Sequence, residues 1–237
     1  MILSNSRGFT FIHIHKAGGT SVEKAIEPFL GWQDIILGSS VYGEKINDAY
    51  RVRFKLDKHS SVADVEMVCG RKYVEDFYLF SLVRHPVGRM CSLYNFVAKV
   101  VLSWARHAKV DPASLRTGIT PELMVQYPAL KWPASRAFVA SDHFCEFIRH
   151  PVLAQDKAFH TQASRLKSAT TGEIMGEVFR LEDNAQWLSL LQQKLGFEFA
   201  LPHENRSEPL VSAKDLSAED QAYIATAFAE DFRAFGY

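Results

Sequence analysis

The sequence contains only three cysteines and carries no excess of charge of either sign. Cys69, Cys91 and Cys145 are an odd number of thiols, far apart in apolar sequence, which argues against a disulfide framework and favours buried thiols in a reducing compartment. The 27 basic residues equal the 27 acidic residues in number, so a basic surface for nucleic acid is not expected. Since neither an apolar run of membrane-spanning length nor a leader is recognisable, we expect a cytoplasmic protein without stable membrane insertion.

The chain has an ordinary globular composition, with 47% hydrophobic and 23% charged residues, and its 237 residues predict one domain over residues 1–237. Strands are predicted at 9–14, 50–56 and 77–83, each followed by a loop and a helix. This order favours an α/β fold with a parallel sheet, in which the nearly continuous apolar segment 77–83 is central. The C-terminal half is predicted to be helix-rich, with one more strand at 177–181.

A glycine-rich segment follows the first predicted strand and leads into a helix. Its glycines would let backbone N–H groups approach an anion, the helix start adds partial positive charge, and its lysine and hydroxyls complete a phosphate site. The order of residues is not that of a Walker A loop, which disfavours an ordinary ATPase or GTPase. The alternative is a tight turn whose lysine is simply solvated. The segment consists of Lys16, Ala17, Gly18, Gly19, Thr20 and Ser21.

A second candidate anion site follows the predicted central strand. Arg84 stands at the carboxyl end of that strand, where open α/β sheets bind ligands. Arg89 and Ser92 are three residues apart on the following helix and share a face, so a guanidinium and a hydroxyl suit a phosphate there. The alternative is that Arg84 pairs with an acid and Ser92 packs against a neighbouring helix.

Taken together, the two segments resemble the sulfotransferases that use 3′-phosphoadenosine 5′-phosphosulfate (PAPS), and most of all the carbohydrate sulfotransferases. The resemblance implies that residues 16–21 bind the 5′-phosphosulfate and that Arg84 and Ser92 bind the 3′-phosphate. Ala17 stands where the family often has a hydroxyl residue, which removes one donor and keeps the backbone cradle. The implied fold is a parallel sheet of P-loop-like type wrapped by helices.

The resemblance extends over nearly the whole chain. Further similarities lie at Gln162, at residues 179–182, at 202–207 and at 231–237. Within these segments, Arg206 and Ser207 are carried over as additional contacts to phosphate or nucleotide.

His59 is the candidate general base. It follows the strand predicted at 50–56, which would place it at the same sheet edge as Lys16 and Arg84, and relatives place a His or Glu in this region. The alternative is that His59 caps the helix beginning at Ser61. His13 and His15 would share a strand face, but no third ligand is identifiable from spacing, so no metal site is predicted and His13 is expected to pack.

The resulting interpretation is a sulfotransferase with Lys16 and His59 as catalytic residues. It would move a sulfuryl group from PAPS to a hydroxyl of a carbohydrate or glycoconjugate. A non-catalytic nucleotide-binding relative and an ATP-dependent phosphotransferase are the alternatives. Trp32, Trp104 and Trp132 would stack on a sugar or pack in the core. The sequence leaves the oligomeric state open.

Overall fold

The computed structural model describes residues 1–117, 119–202 and 209–237. The chain forms two compact units. The first comprises Met1–His85, Thr161–Arg206 and Glu230–Tyr237, and the second comprises Pro86–His160 and Ser207–Ala229. A single domain over the whole chain stays a prediction.

Within the described residues, five strands form one sheet in the order β3-β1-β2-β4-β5. Strands β2, β4 and β5 are mutually parallel, with Phe11 opposite Phe80 and Val83 opposite Arg180. Strand β1 is antiparallel to both β2 and β3. The strands are β1 Ile2–Ser4, β2 Phe9–Ile12, β3 Ile35–Ile36, β4 Tyr78–Val83 and β5 Glu177–Arg180.

The α/β class is as predicted, but the parallel arrangement holds for only three of these strands. β1 joins β2 through a four-residue turn, closed by a 2.9 Å hydrogen bond from the Gly8 N–H to the Ser4 carbonyl. So short a connection can only make an antiparallel pair, because a parallel pair needs a crossover of a dozen or more residues.

In chain order the helices are α1 Gly19–Ile26, α2 Val41–Phe54, α3 Val62–Cys69, α4 Arg71–Asp76, α5 Pro86–Ala108, α6 Pro121–Gln126, α7 Pro133–Ala140, α8 Phe144–Arg149, α9 Gln162–Leu166, α10 Asn184–Leu195, α11 Ala218–Ala227 and α12 Ala229–Phe235. They confirm the helix-rich C-terminal half. Among the described helices, none is both long and apolar enough to cross a membrane.

Side chains that alternate along β4, which lies between β2 and β5 and not at the middle of the sheet, fill a core on each face of the sheet. Phe80 and Leu82 pack with residues of α1 and α10, including Val22 and Trp187. Leu79 and Val83 point the other way and pack with residues of α3, α4 and α9. Helices therefore cover both faces, as the nearly continuous apolar segment at 77–83 predicts.

The second unit has its own core, built around the long helix α5. Met90, Tyr94, Val97 and Val101 lie on one stripe of α5 and are buried. Pro86 occupies the first position of this helix, where its missing N–H costs nothing. The predicted amphipathic helix after β4 is thus confirmed.

The prediction of a strand at 50–56 is wrong. Residues 50–54 form the last turn of helix α2, and residues 55 and 56 follow that helix. Ser40 caps α2 by accepting a 2.9 Å hydrogen bond from the Gly43 N–H, and Ile46 and Tyr50 face the core. Val52 and Phe54 are 67% and 47% exposed, so the apparent alternation is not that of a half-buried strand. The spacing of residues 43, 46 and 50 is helical.

Helix α3 forms as predicted. Ser61 caps it, and Ser61 and Asp64 form a reciprocal capping box. The cysteine prediction holds for Cys91, which is buried, whereas Cys69 and Cys145 are only half-buried.

Candidate active site

The loop between β2 and α1 forms the centre of the site. Lys16 adopts a left-handed backbone conformation with φ of 63°, which is uncommon for a residue other than glycine. Such strained conformations concentrate at functional sites. Because α1 starts at Gly19, the side chain of Lys16 and the first N–H groups of α1 belong to the same short loop.

Gly18 and Gly19 have identifiable structural roles in this loop. Gly18 has φ of 83°, and a Cβ added to it would lie 2.8 Å from Leu181. A Cβ on Gly19 would lie 2.3 Å from the ring of His13, so the ring leaves room for glycine only. Backbone conformation thus explains Gly18 and the close approach of the His13 ring explains Gly19, so the capacity to bind an anion rests on Lys16 and on the start of α1.

The imidazole of His59 lies at the carboxyl end of β2. Its Nδ1 is 3.0 Å from the backbone carbonyl oxygen of His13, and its ring stacks on that of His15 with centroids 3.5 Å apart. His59 therefore lies at the edge of the sheet where it was expected. The strand that was expected to bring it there does not form, because helix α2 precedes His59 instead. The capping role weighed for His59 belongs to Ser61.

The contact with His13 fixes the tautomer of His59. A carbonyl oxygen only accepts hydrogen bonds, so Nδ1 of His59 carries the proton and donates it to this oxygen. In the neutral ring the lone pair is then on Nε2. The site therefore presents one defined basic nitrogen.

Burial, followed by the neighbouring His15 and His13, lowers the pKa of His59 well below its usual value of 6.5. The ring is consequently neutral at pH 7 and able to accept a proton. Burial likewise lowers the pKa of His13, and this outweighs the attraction of Glu23.

Glu23 is a buried acid that the sequence reasoning missed. Its Oε1 lies 2.9 Å from Nδ1 of His13 and also contacts the amine of Met1. Burial alone would raise the pKa of Glu23, but His13 and the Met1 amine lower it to about 2, so the carboxylate is ionised. The available signal was an acid between Val22 and Ile26 on the apolar face of α1. His13 is thus packed and paired, as expected.

Arg84 directly follows β4, the parallel neighbour of β2, so Arg84 and Lys16 stand at the same edge of the sheet. Arg84 is half-buried. Ser92 is also half-buried, on α5 in the second unit, and its pairing with Arg84 stays a prediction. Arg206 and Ser207 lie outside the described residues.

Arg89 is not a phosphate ligand. Its side chain is 1% exposed, and its two terminal nitrogens donate to the carbonyl oxygens of Ala158 and His160, both at 2.8 Å. The guanidinium carbon lies 5.0 Å from the ring centre of Phe228. Arg89 therefore stabilises the second unit.

We expect Arg89→Met to lower the free energy of unfolding by about 2 to 4 kcal/mol, because it leaves the buried carbonyl of Ala158 and the partly buried carbonyl of His160 without these donors. Denaturant unfolding measures this. The matched control is Arg106→Met on the exposed side of the same helix, which should change stability by no more than about 0.5 kcal/mol. Equal losses in the two variants would contradict the structural role of Arg89.

Among the described residues, no group of three or more His, Cys, Asp or Glu side chains is arranged to hold a metal ion. His13 and His15 both contact His59 instead, with ring centres 4.7 Å and 3.5 Å from its own. What the site offers chemically is a neutral base beside a cationic loop.

One comparison with known proteins gives a match. The model of the family described as "Sulfotransferase family" matches residues 1–237, the whole chain. No curated protein and no solved structure matches.

Proposed function

The chain belongs to the sulfotransferase family, and on that premise we propose that it moves a sulfuryl group from PAPS to a hydroxyl of an acceptor. Family membership supports transfer of a sulfuryl group by an enzyme. PAPS as donor and a carbohydrate as acceptor are our proposal.

In the proposed complex, residues 16–21 hold the 5′-phosphosulfate, and Arg84 and Ser92 hold the 3′-phosphate. Support comes from the common sheet edge of Lys16 and Arg84. The first N–H groups of α1 add donors for the same anion. The P-loop-like character of the helix-wrapped sheet belongs to this proposal.

The proposed reaction is an in-line displacement at sulfur. The acceptor oxygen forms a bond to sulfur while the bond between sulfur and the oxygen bridging to the 5′-phosphate breaks. The acceptor proton passes to Nε2 of His59, and adenosine 3′,5′-bisphosphate leaves. Lys16 and the loop N–H groups stabilise the charge that develops on the bridging oxygen.

The observation that carries this proposal is the 3.0 Å contact between Nδ1 of His59 and the His13 carbonyl. It leaves Nε2 as the basic nitrogen, in a ring that is neutral at pH 7 and stacked on His15, the residue preceding Lys16. A general base needs this combination of protonation state and position.

The acceptor is proposed to be a carbohydrate. Trp104 contacts Tyr127 with ring centres 4.0 Å apart, so it packs within the second unit. Trp32 is 91% exposed, but it lies beside the turn between β1 and β2, at the sheet edge opposite Lys16. Trp132 is 43% exposed and stacks on Phe96 within the second unit, so part of its ring surface is open to a sugar ring. A cytoplasmic location remains a prediction from the sequence.

The donor assignment predicts that the protein binds adenosine 3′,5′-bisphosphate about ten- to a hundredfold more tightly than AMP or ATP, because a charge-assisted contact to the 3′-phosphate is worth that much. Calorimetry measures the three affinities. Equal affinity for the bisphosphate and AMP would contradict the assignment.

Arg84→Ala should lower the ratio of the affinities for adenosine 3′,5′-bisphosphate and AMP. Arg53→Ala, at an exposed position of α2, should leave this ratio unchanged. The comparison separates a specific contact from the general effect of removing one positive charge.

A further inference from the structure

The short helix α9 holds the backbone of Arg84. The side-chain oxygen of Gln162 accepts a 2.9 Å hydrogen bond from the Arg84 N–H, and its amide nitrogen donates to the Arg84 carbonyl at 2.8 Å. Gln162 is fully buried. One side chain therefore satisfies both backbone groups of Arg84, which fixes the direction in which its side chain leaves the sheet edge.

The same helix holds the backbone of His59. Arg165 stands three residues after Gln162, so the two side chains are neighbours on the helix surface. Nη2 of Arg165 donates to the His59 carbonyl at 2.6 Å and lies 3.4 Å from Oδ2 of Asp64. Asp57 accepts from the His59 N–H at 2.8 Å, so both backbone groups of His59 are bonded.

α9 is itself firmly anchored at the start of α12. The buried carboxylate of Asp231 accepts from the Ala163 N–H at 2.9 Å and from the Gln162 amide at 3.2 Å. Glu230 accepts from Thr161 at 2.7 Å and from Lys167 at 2.6 Å, one on each side of α9. The helix is thus tied at both ends and in its middle.

We propose that Gln162 and Arg165 are positioning residues that set Arg84 and His59 at a fixed separation for one reaction. We call this pair the α9 bracket. The inference rests on the proposed function, in which Arg84 binds the donor and His59 takes the proton. Gln162 acts on donor recognition through Arg84, and Arg165 acts on the base through His59.

The test crosses two variants with two measurements that need no acceptor. The first measurement is the ratio of calorimetric affinities for adenosine 3′,5′-bisphosphate and AMP. The second is the tautomer of His59 from ¹⁵N NMR of the imidazole. Gln162→Ala should lower the ratio about tenfold, because Arg84 is then no longer held in place for its charge-assisted contact to the 3′-phosphate, and it should leave His59 as the Nδ1–H tautomer. Arg165→Met should leave the ratio within about twofold and give a mixture of tautomers.

Ser164→Ala is the control, because Ser164 is exposed on the same helix and bonds to the carbonyl of Thr161 at 2.7 Å. It should change neither measurement. Arg165→Lys keeps a cationic donor and should restore part of the Nδ1–H tautomer.

Gln162→Glu covers the case in which the alanine variant does not fold. At pH 8 its carboxylate accepts from the Arg84 N–H, cannot donate to the Arg84 carbonyl and repels Asp231, so the affinity ratio should fall. On acidification the protonated group regains a donor, and the ratio should recover relative to the parent at the same pH.

In one outcome, the unsubstituted protein prefers the bisphosphate while Gln162→Ala and Arg165→Met keep its affinity ratio and its His59 tautomer. That result overturns the α9 bracket and leaves the proposed function standing. Parallel changes of both measurements in both variants overturn it as well, because they indicate general loosening. If the parent itself shows no preference for the bisphosphate, the proposed function falls, and the bracket falls with it.

Discussion

His59→Ala is expected to lower kcat by about two to four orders of magnitude while leaving affinity for the bisphosphate product within a few-fold. The variant removes the nitrogen that takes the acceptor proton and leaves Lys16 and Arg84 in place. Steady-state turnover of PAPS and calorimetric titration with the bisphosphate measure the two effects. His107→Ala is the matched control, because His107 is an exposed residue of α5 in the second unit.

In the unsubstituted protein, the acid limb of the pH profile of kcat/KM should lie at lower pH than a free imidazole would give. The lowered pKa of His59 means that the base loses its proton at lower pH than a free imidazole does. Since kcat/KM reports the free enzyme, its acid limb should have a midpoint below 6.5, and activity should be constant from there through neutral pH. Near-parent turnover of His59→Ala would pass the role of base to His13, His15 or an acid.

Lys16→Ala is expected to lower kcat by a similar two to four orders of magnitude, on the scale of about 3 to 5 kcal/mol of lost charge stabilisation in the transition state. Affinity for the bisphosphate should fall much less, because Lys16 acts mainly on the bridging oxygen and only secondarily on the 5′-phosphate. Lys16→Arg should recover part of the turnover by restoring a cation.

Lys55→Ala is a closely matched control for Lys16→Ala. Lys55 also has a left-handed backbone, with φ of 60° against 63° for Lys16, and it caps the exposed end of α2. Both substitutions place alanine at a left-handed position, so a loss of turnover seen only in Lys16→Ala is due to the lysine side chain and not to the backbone conformation. Equal turnover of the two alanine variants would contradict the role of Lys16.

The parts of the site that the sequence predicted have local signals. The strand before Arg84 is a nearly uninterrupted apolar segment, Pro86 marks the next helix start, and Ser61 with Asp64 marks another. Each signal lies within a few residues of the element it predicts. Two physical causes produce these signals: burial of both faces of a strand, and unsatisfied N–H groups at the start of a helix. Both causes act on residues within the element itself or directly beside it.

The parts that were missed depend on contacts between distant residues. The bonds from Gln162 to Arg84 and from Arg165 to His59 span 78 and 106 residues. Strand β3 has two residues, too few to show alternation, and its pairing with β1 makes the sheet mixed. Helix α2 was missed for another reason: Gly43 is its one fully buried residue, so its sequence shows no clear apolar stripe, and its exposed last turn resembles the alternation of a strand.

The most direct test of sulfuryl transfer is incubation of the protein with ³⁵S-labelled PAPS and a panel of hexoses, N-acetylhexosamines and non-sugar alcohols. We expect label to appear in a sugar acceptor with one bisphosphate formed per sulfuryl group transferred, and His59→Ala to abolish nearly all of it. Tight binding of the bisphosphate without transfer of label to any acceptor would contradict the account and identify a nucleotide-binding protein without turnover.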